Sequence, residues 1–135
     1  MIICLRGDSV LLQKEYSYPV NEVLYQFPGG AVNKKEDIEE AAERELAEEA
    51  GLKCGKLRTL GWFYTNNRRS SQKLYVFIAE KCEATKRQGG DVEEDISSEW
   101  MSIEKINEMI RNGKIVNYSL LAGWALFSAQ KETLK

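Results

Sequence analysis

Phe27-Pro28-Gly29-Gly30, a charged linker to Glu36, and then Arg44-Glu45-Leu46-Ala47-Glu48-Glu49-Ala50-Gly51-Leu52 form the stretch around which the chain is organised. Pro28-Gly29-Gly30 neither continues a strand nor opens a helix comfortably, so it reads as a turn. Residues 37–50 contain no Pro or Gly and are dominated by Ala, Glu, Leu and Arg, which predicts a helix. Gly51 falls where that helix stops, at the position that favours a left-handed backbone. Glu45, Glu48 and Glu49 are related by i,i+3 and i,i+4 and share one helix face, and Arg44 can pair with Glu48. A run of acids is ordinarily a solvated face. Here, however, the opposite charges are not interleaved as in a salt-bridge-laced helix. Like charges about 4 Å apart repel by roughly 4 kcal/mol at an effective dielectric near 20, so three converging, partly shielded carboxylates call for a cation. Oxygen-only ligands suit Mg²⁺ or Mn²⁺.

These residues resemble a known family. The pattern GX5EX7REUXEEXGU, with U a bulky aliphatic, is the Nudix box, and it is matched at Gly30, Glu36, Arg44, Glu45, Leu46, Glu48, Glu49, Gly51 and Leu52 without departure. The resemblance implies an α/β/α sandwich with a mixed β-sheet and a divalent-metal-dependent pyrophosphohydrolase. Carried over by motif, it implies metal ligands at Glu45, Glu48 and Glu49, with the Gly30 carbonyl joining them. Glu48 then acts in catalysis, Arg44 orients a glutamate through its planar fork, and Glu36 fixes the loop–helix joint. Gly29 and Gly30 let the backbone approach the metal where a Cβ would interfere. In relatives that cleave ADP-ribose, a glutamate in the loop before the last strand and helix is the general base. The matching loop here is Asp91-Val92-Glu93-Glu94-Asp95-Ile96, which points to Glu94 or Glu93.

Composition sets the frame. The 135 residues suit one domain, 1–135, with a real core. A net charge of -2 implies no strong pull toward nucleic acid or an acidic membrane surface. No apolar run approaches a membrane span and no signal peptide is expected, so the expected location is cytoplasmic. Cys4, Cys54 and Cys82 are an odd number of isolated thiols, as in a reducing compartment. The chain has no His. That removes Ser-His-Asp triads, Cys-His dyads, His-ligated zinc and His bases, leaving acid–base work to carboxylates, Lys, Tyr or metal-bound water.

Outward from the box, residues 2–6 and 9–15 read as a hairpin turning at Gly7-Asp8. A loop with Pro19 follows at 16–21, then a strand at 23–27. Ile38, Ala41, Ala42 and Leu46 are the expected apolar side of the acidic helix. Strands are expected at 56–64 and 72–80, the second apolar on both faces and therefore central. The polar loop 65–71 between them is either a solvated hairpin or a source of phosphate contacts from Arg68 or Arg69. A charged loop is expected at 86–95 and a short strand at 99–102. Ser102 can cap a helix at 103–111 that Asn112-Gly113 ends. Asn117 can cap a last helix to about residue 131, with Leu120, Leu121, Trp124, Ala125 and Phe127 spaced for burial.

Three stretches outside the box resemble the ADP-ribose pyrophosphatase branch: Leu12-Gln13-Lys14-Glu15-Tyr16 with Pro19-Val20, Leu60-Gly61-Trp62-Phe63-Tyr64, and Gly113-Lys114-Ile115-Val116-Asn117. Ser17 stands where that branch commonly has Arg, and Asn66-Asn67 where its characteristic Pro would fall. The N-terminal extension through which many such enzymes dimerise is not expected here, and a homodimer stays open. The expected substrate is a small-molecule nucleotide, a nucleoside diphosphate linked to a second group as in ADP-ribose. Tyr64, Trp62, Tyr16 and Tyr18 are candidates to stack its base. The alternatives are a nucleoside triphosphate, including an oxidised one, and a non-catalytic ligand sensor.

Overall fold

The computed structural model describes residues 1–85 and 96–133. Its frame is a six-stranded mixed sheet built from β1 (Ile2–Arg6), β2 (Ser9–Ser17), β3 (Glu22–Gln26), β5 (Lys56–Tyr64), β6 (Lys73–Glu80) and β8 (Ser97–Ser102). The strands run in the order β3-β2-β1-β6-β5, and β8 also pairs with β2. β1 lies parallel to β6, with Ile2 opposite Phe77 and Cys4 opposite Ala79. These two strands are central and covered on both faces. Ile2, Ile3 and Cys4 are all buried in sequence, as are Val76, Phe77, Ile78 and Ala79.

Two helical layers cover the sheet. On one side α1 (Ile38–Ala50) lays Ala42 and Leu46 against Ile2, Cys4, Leu11, Phe77 and Ala79. On the other, α2 (Ile103–Arg111) and α3 (Tyr118–Thr133) bring Ile106, Met109, Leu120, Trp124 and Phe127 onto Ile3, Val10, Leu12, Val76 and Ile78. The expected α/β/α sandwich with a mixed sheet is therefore the observed fold. Burying Leu46 this fully makes a Leu→Ala change there worth roughly 2–5 kcal/mol.

The helices start and stop where local chemistry dictates. Asp37 Oδ1 accepts from the Glu39 N–H at 2.8 Å and Ser102 Oγ from the Lys105 N–H at 3.1 Å. Gly51 adopts φ 63° and its N–H reaches the Ala47 carbonyl at 3.1 Å. The Ser119 N–H donates to Asn117 Oδ1 at 3.0 Å, as the expected cap requires.

Three expectations need correction. The loop expected at 16–21 shrinks to a turn at 18–21, because Tyr16 and Ser17 pair with Val23 and Glu22, and the Asn21 N–H closes on the Tyr18 carbonyl at 3.2 Å. Ala125 is exposed: Leu120, Trp124 and Phe127 repeat at i, i+4 and i+7, and Ala125 lies about 100° round from Trp124. A small two-stranded sheet, β4 (Leu52–Lys53) with β7 (Glu83–Ala84), was not anticipated. The loop expected at 86–95 lies outside the described residues.

Candidate active site

The site is assembled at the junction of the Pro28-Gly29-Gly30 turn with α1. Phe27 anchors the turn in the core, stacked on Trp124 at a centroid distance of 6.2 Å. The Pro28 carbonyl accepts from the Ile2 N–H at 2.8 Å, which fastens the turn to the central strand. From α1 two carboxylates reach it. Glu49 Oε2 accepts from the Gly29 N–H at 3.0 Å. The Glu45 carboxylate packs directly on Gly30, where an added Cβ would stand 2.5 Å from Glu45 Cδ. Only glycine leaves room for that approach.

Arg44 organises the acids. Its Nε and Nη2 hold Glu36 in a fork at 2.8 and 3.1 Å. Nη1 reaches both Glu45 Oε1 at 3.0 Å and Glu48 Oε2 at 3.2 Å, and Nη2 also donates to the Ala31 carbonyl at 3.1 Å. Glu36 further accepts from the Asn33 N–H at 2.9 Å. The Arg44 hydrogen bonds, then that backbone bond, hold the Glu36 carboxyl below its usual value. The same bonds to Glu36 hold the Arg44 guanidinium more firmly protonated than usual. One residue thus ties the linker, the loop carbonyl and two helix glutamates together.

Glu45 and Glu49 line a cleft of about 900 Å³, with Gly29 and Gly30 at its wall and Gln26, Lys73, Tyr75 and Tyr118 elsewhere in it. Glu48 is the most exposed of these acids, its side chain 53% accessible, and joins the group through Arg44. Among the described residues no three acidic, Cys or His side chains form a ready-made ion cage. Arg44 Nη1 sits between Glu45 and Glu48, and Glu49 is turned to the Gly29 amide. The donor set nevertheless suits a hard divalent cation: carboxylate oxygens beside a backbone position too tight for a Cβ.

Of the two readings of the loop 65–71, the structure matches the solvated hairpin. Arg68 and Arg69 are exposed and do not line the cleft. The Arg69 and Ser70 N–H groups both close on the Asn66 carbonyl, at 3.0 and 2.9 Å. The base of the hairpin enters the cleft instead, through Thr65, Ser71, Gln72 and Lys73. Tyr64 is 47% exposed and meets Trp62 edge-on at 5.0 Å. Lys73 and Tyr75 were missed from the sequence, and alternation along β6 was the signal that placed them on one face. Glu93 and Glu94 lie outside the described residues. Cys4 and Cys82 touch through sulfur at 2.9 Å, all three cysteines are free, and burial raises each thiol above its usual value.

The fold and this loop–helix unit define a Nudix hydrolase. The NUDIX domain family matches residues 1–122, and the chain belongs to it. It is an enzyme of the class that acts on phosphoanhydride bonds, and members of the class use divalent cations. Among individual proteins, the mouse (Mus musculus) diphosphoinositol polyphosphate phosphohydrolase 3-alpha is 32% identical over 116 residues, 86% of this chain and 68% of that protein. The ADP-ribose pyrophosphatase of Bacillus subtilis (strain 168) is 32% identical over 72 residues, 53% of this chain and 39% of its own. The structure of an ADP compounds hydrolase superposes with a TM-score of 0.88 over 99% of this chain and 72% of that one. At 19% identity this last is a likeness of fold.

Proposed function

We propose that the chain hydrolyses the pyrophosphate link of a nucleoside diphosphate joined to a second group, as in ADP-ribose. The observation that carries this is the meeting of Glu45 and Glu49 with Gly29 and Gly30 in the wall of one large cleft. Its volume lies in the range of pockets that enclose small organic ligands, about 300–1,000 Å³.

Glu45, Glu48, Glu49 and the Gly30 carbonyl hold the divalent ion, Mg²⁺ or Mn²⁺. Bound there, it would supply charge neutralisation for the pyrophosphate and a lowered pKa for a water molecule. The protein's own share is positioning. Arg44 keeps Glu45 and Glu48 together, Glu36 keeps Arg44 in place, and the Gly29 N–H aims Glu49. Glu94 or Glu93 accepts the proton of the water. Tyr64 contacts the substrate beyond the phosphates. The products of such a reaction are a free mononucleotide and the phosphorylated second group, made in the cytoplasm and without nucleic acid as a partner.

A second reading has one observation in its favour. The mouse relative, matched along most of this chain, is named for a diphosphoinositol polyphosphate. A ligand with that many phosphates calls for several cations around it. Among the described residues lining the cleft, Lys73 is the one lysine or arginine side chain. The cleft therefore favours a substrate with few phosphates and an apolar portion.

Product release from ADP-ribose, NADH, a dinucleoside polyphosphate, ordinary and oxidised deoxynucleoside triphosphates and a diphosphoinositol polyphosphate, each with Mg²⁺ and with Mn²⁺, tests the reading. Selective cleavage of ADP-ribose to AMP, abolished by Glu48→Gln, is expected. Preference for a triphosphate or an inositol substrate would replace it.

A further inference from the structure

Trp62 and Tyr64 are large aromatic side chains that the core leaves 44% and 47% exposed. Simple alternation along β5 does not put them where they are. Leu57 packs with the cluster on the α1 side and Leu60 with the cluster on the α3 side. Counting by twos, Trp62 would follow Leu60 toward α3. The ladder with β6 slips instead: Thr59 pairs with Phe77, but Gly61 pairs with Val76, so Leu60 is an extra residue. Beyond the bulge the faces exchange. Phe63 joins the α3-side cluster, and a Cβ on Gly61 would point at Leu126 of α3, 3.5 Å from Cδ1. Trp62, opposite Tyr75, and Tyr64, opposite Lys73, are thereby turned to the same face of the sheet as Tyr75 and Lys73, the partners that line the cleft beside them. Bulges next to active sites commonly re-aim a side chain in this way.

The three side chains touch. Tyr64 meets Trp62 edge-on, and Lys73 Nζ lies 4.4 Å from the Trp62 ring centre. An ammonium over an indole face is a weak, exchangeable contact at an exposed site. Among the described residues Lys73 is also the one lysine or arginine in a cleft whose carboxylates, Glu15, Glu45 and Glu49, repel phosphate.

We propose that Trp62, Tyr64 and Lys73 form the shelf that selects the base: the aromatic base of the nucleotide stacks on Trp62, with Tyr64 bracing the ring and Lys73 swinging to the adjoining phosphate. This rests on the nucleoside diphosphate reading and adds to it the residues that recognise the base. The occupant follows from continuity and charge. The shelf adjoins the cleft that holds the Glu45–Glu49 pair, and a nucleotide carries a flat aromatic end beside anionic phosphate.

The test is steady-state hydrolysis of ADP-ribose with AMP and ribose 5-phosphate as competing products, in the wild-type chain and in Trp62→Leu. The KM for ADP-ribose and the Ki of AMP are expected to rise together by about tenfold, the equivalent of about 1.4 kcal/mol, within the range for a base stacked on an aromatic ring. The Ki of ribose 5-phosphate, which has no base, is expected to stay within about twofold. Tyr64→Ser gives a smaller shift of the same pattern and serves if Trp62→Leu folds poorly. Equal losses for AMP and ribose 5-phosphate, or no change in either, would overturn the shelf while leaving the nucleoside reading standing. A wild-type chain that leaves ADP-ribose intact would overturn the nucleoside reading and the shelf with it.

Discussion

At the scale of single residues the site depends on Gly30 having no side chain. A Cβ there would sit 2.5 Å from Glu45 Cδ and 2.7 Å from Glu45 Oε2. Those atoms are the far end of a flexible side chain, so the fold can absorb the methyl by turning Glu45 aside. The chemistry cannot, because displacement of a positioning group by about 1 Å costs on the order of a hundredfold in rate. Gly30→Ala is therefore expected to lower kcat/KM by about a hundredfold with little change in Tm. A variant that keeps wild-type turnover would remove Glu45 from the metal ligands. The family resemblance foreshadowed this, since it implied a close backbone approach at Gly29 and Gly30. It did not reveal that Arg44 makes five hydrogen bonds at once, because Ala31 and Glu36 reach it only through the folded linker.

At the scale of elements, the linker is joined to α1 by the Glu36–Arg44 fork, and this joint has a pH dependence of known sign. The Arg44 hydrogen bonds hold the Glu36 carboxyl below its usual value, so folding favours its charged form. The stabilisation is fully present above the unfolded carboxylate pKa, about 4.3, and is lost as pH falls through the depressed folded value. Glu36→Gln is expected to lower Tm at pH 7 and to converge on the wild type in acid. A Tm gap that stays constant from neutral pH into strong acid would mean the fork is not the source. Legibility also divides by element. The end of α1 and both ends of α2 could be delimited from the sequence because Gly51, Ser102 and Asn112-Gly113 act on their immediate neighbours. β4, β7 and the bulge at Leu60 could not, since each exists only through a partner strand distant in sequence. That is why the box acids were legible and the orientation of Trp62 was not. Arg68 and Arg69 stayed ambiguous for a related reason: a basic hairpin tip reads the same whether it faces a cleft or solvent.

At the scale of the whole molecule, the core and the site meet at Trp124. Its Nε1 donates to Asn107 Oδ1 at 2.7 Å, tying α3 to α2. Its ring stacks on Phe27 and lies 5.1 Å from Phe127. Phe27 is the residue before Pro28-Gly29-Gly30, so the same indole packs the second helical layer and backs the turn that carries Gly29 and Gly30. Trp124→Ala removes a buried ring from this junction, and such truncations cost about 3–5 kcal/mol. For a chain of this size 1 kcal/mol shifts Tm by roughly 2–8 °C, so a fall on the order of 10–20 °C is expected. If Phe27 transmits the loss to the turn, kcat/KM falls as well at a temperature where the variant is fully folded. Asn107→Ala separates the two effects, because it removes the hydrogen bond and leaves the ring against Phe27: Tm drops by less and turnover holds. Equal turnover in Trp124→Ala and the wild type, measured well below both melting temperatures, would show that the turn is held by Pro28 and the central strand without help from α3.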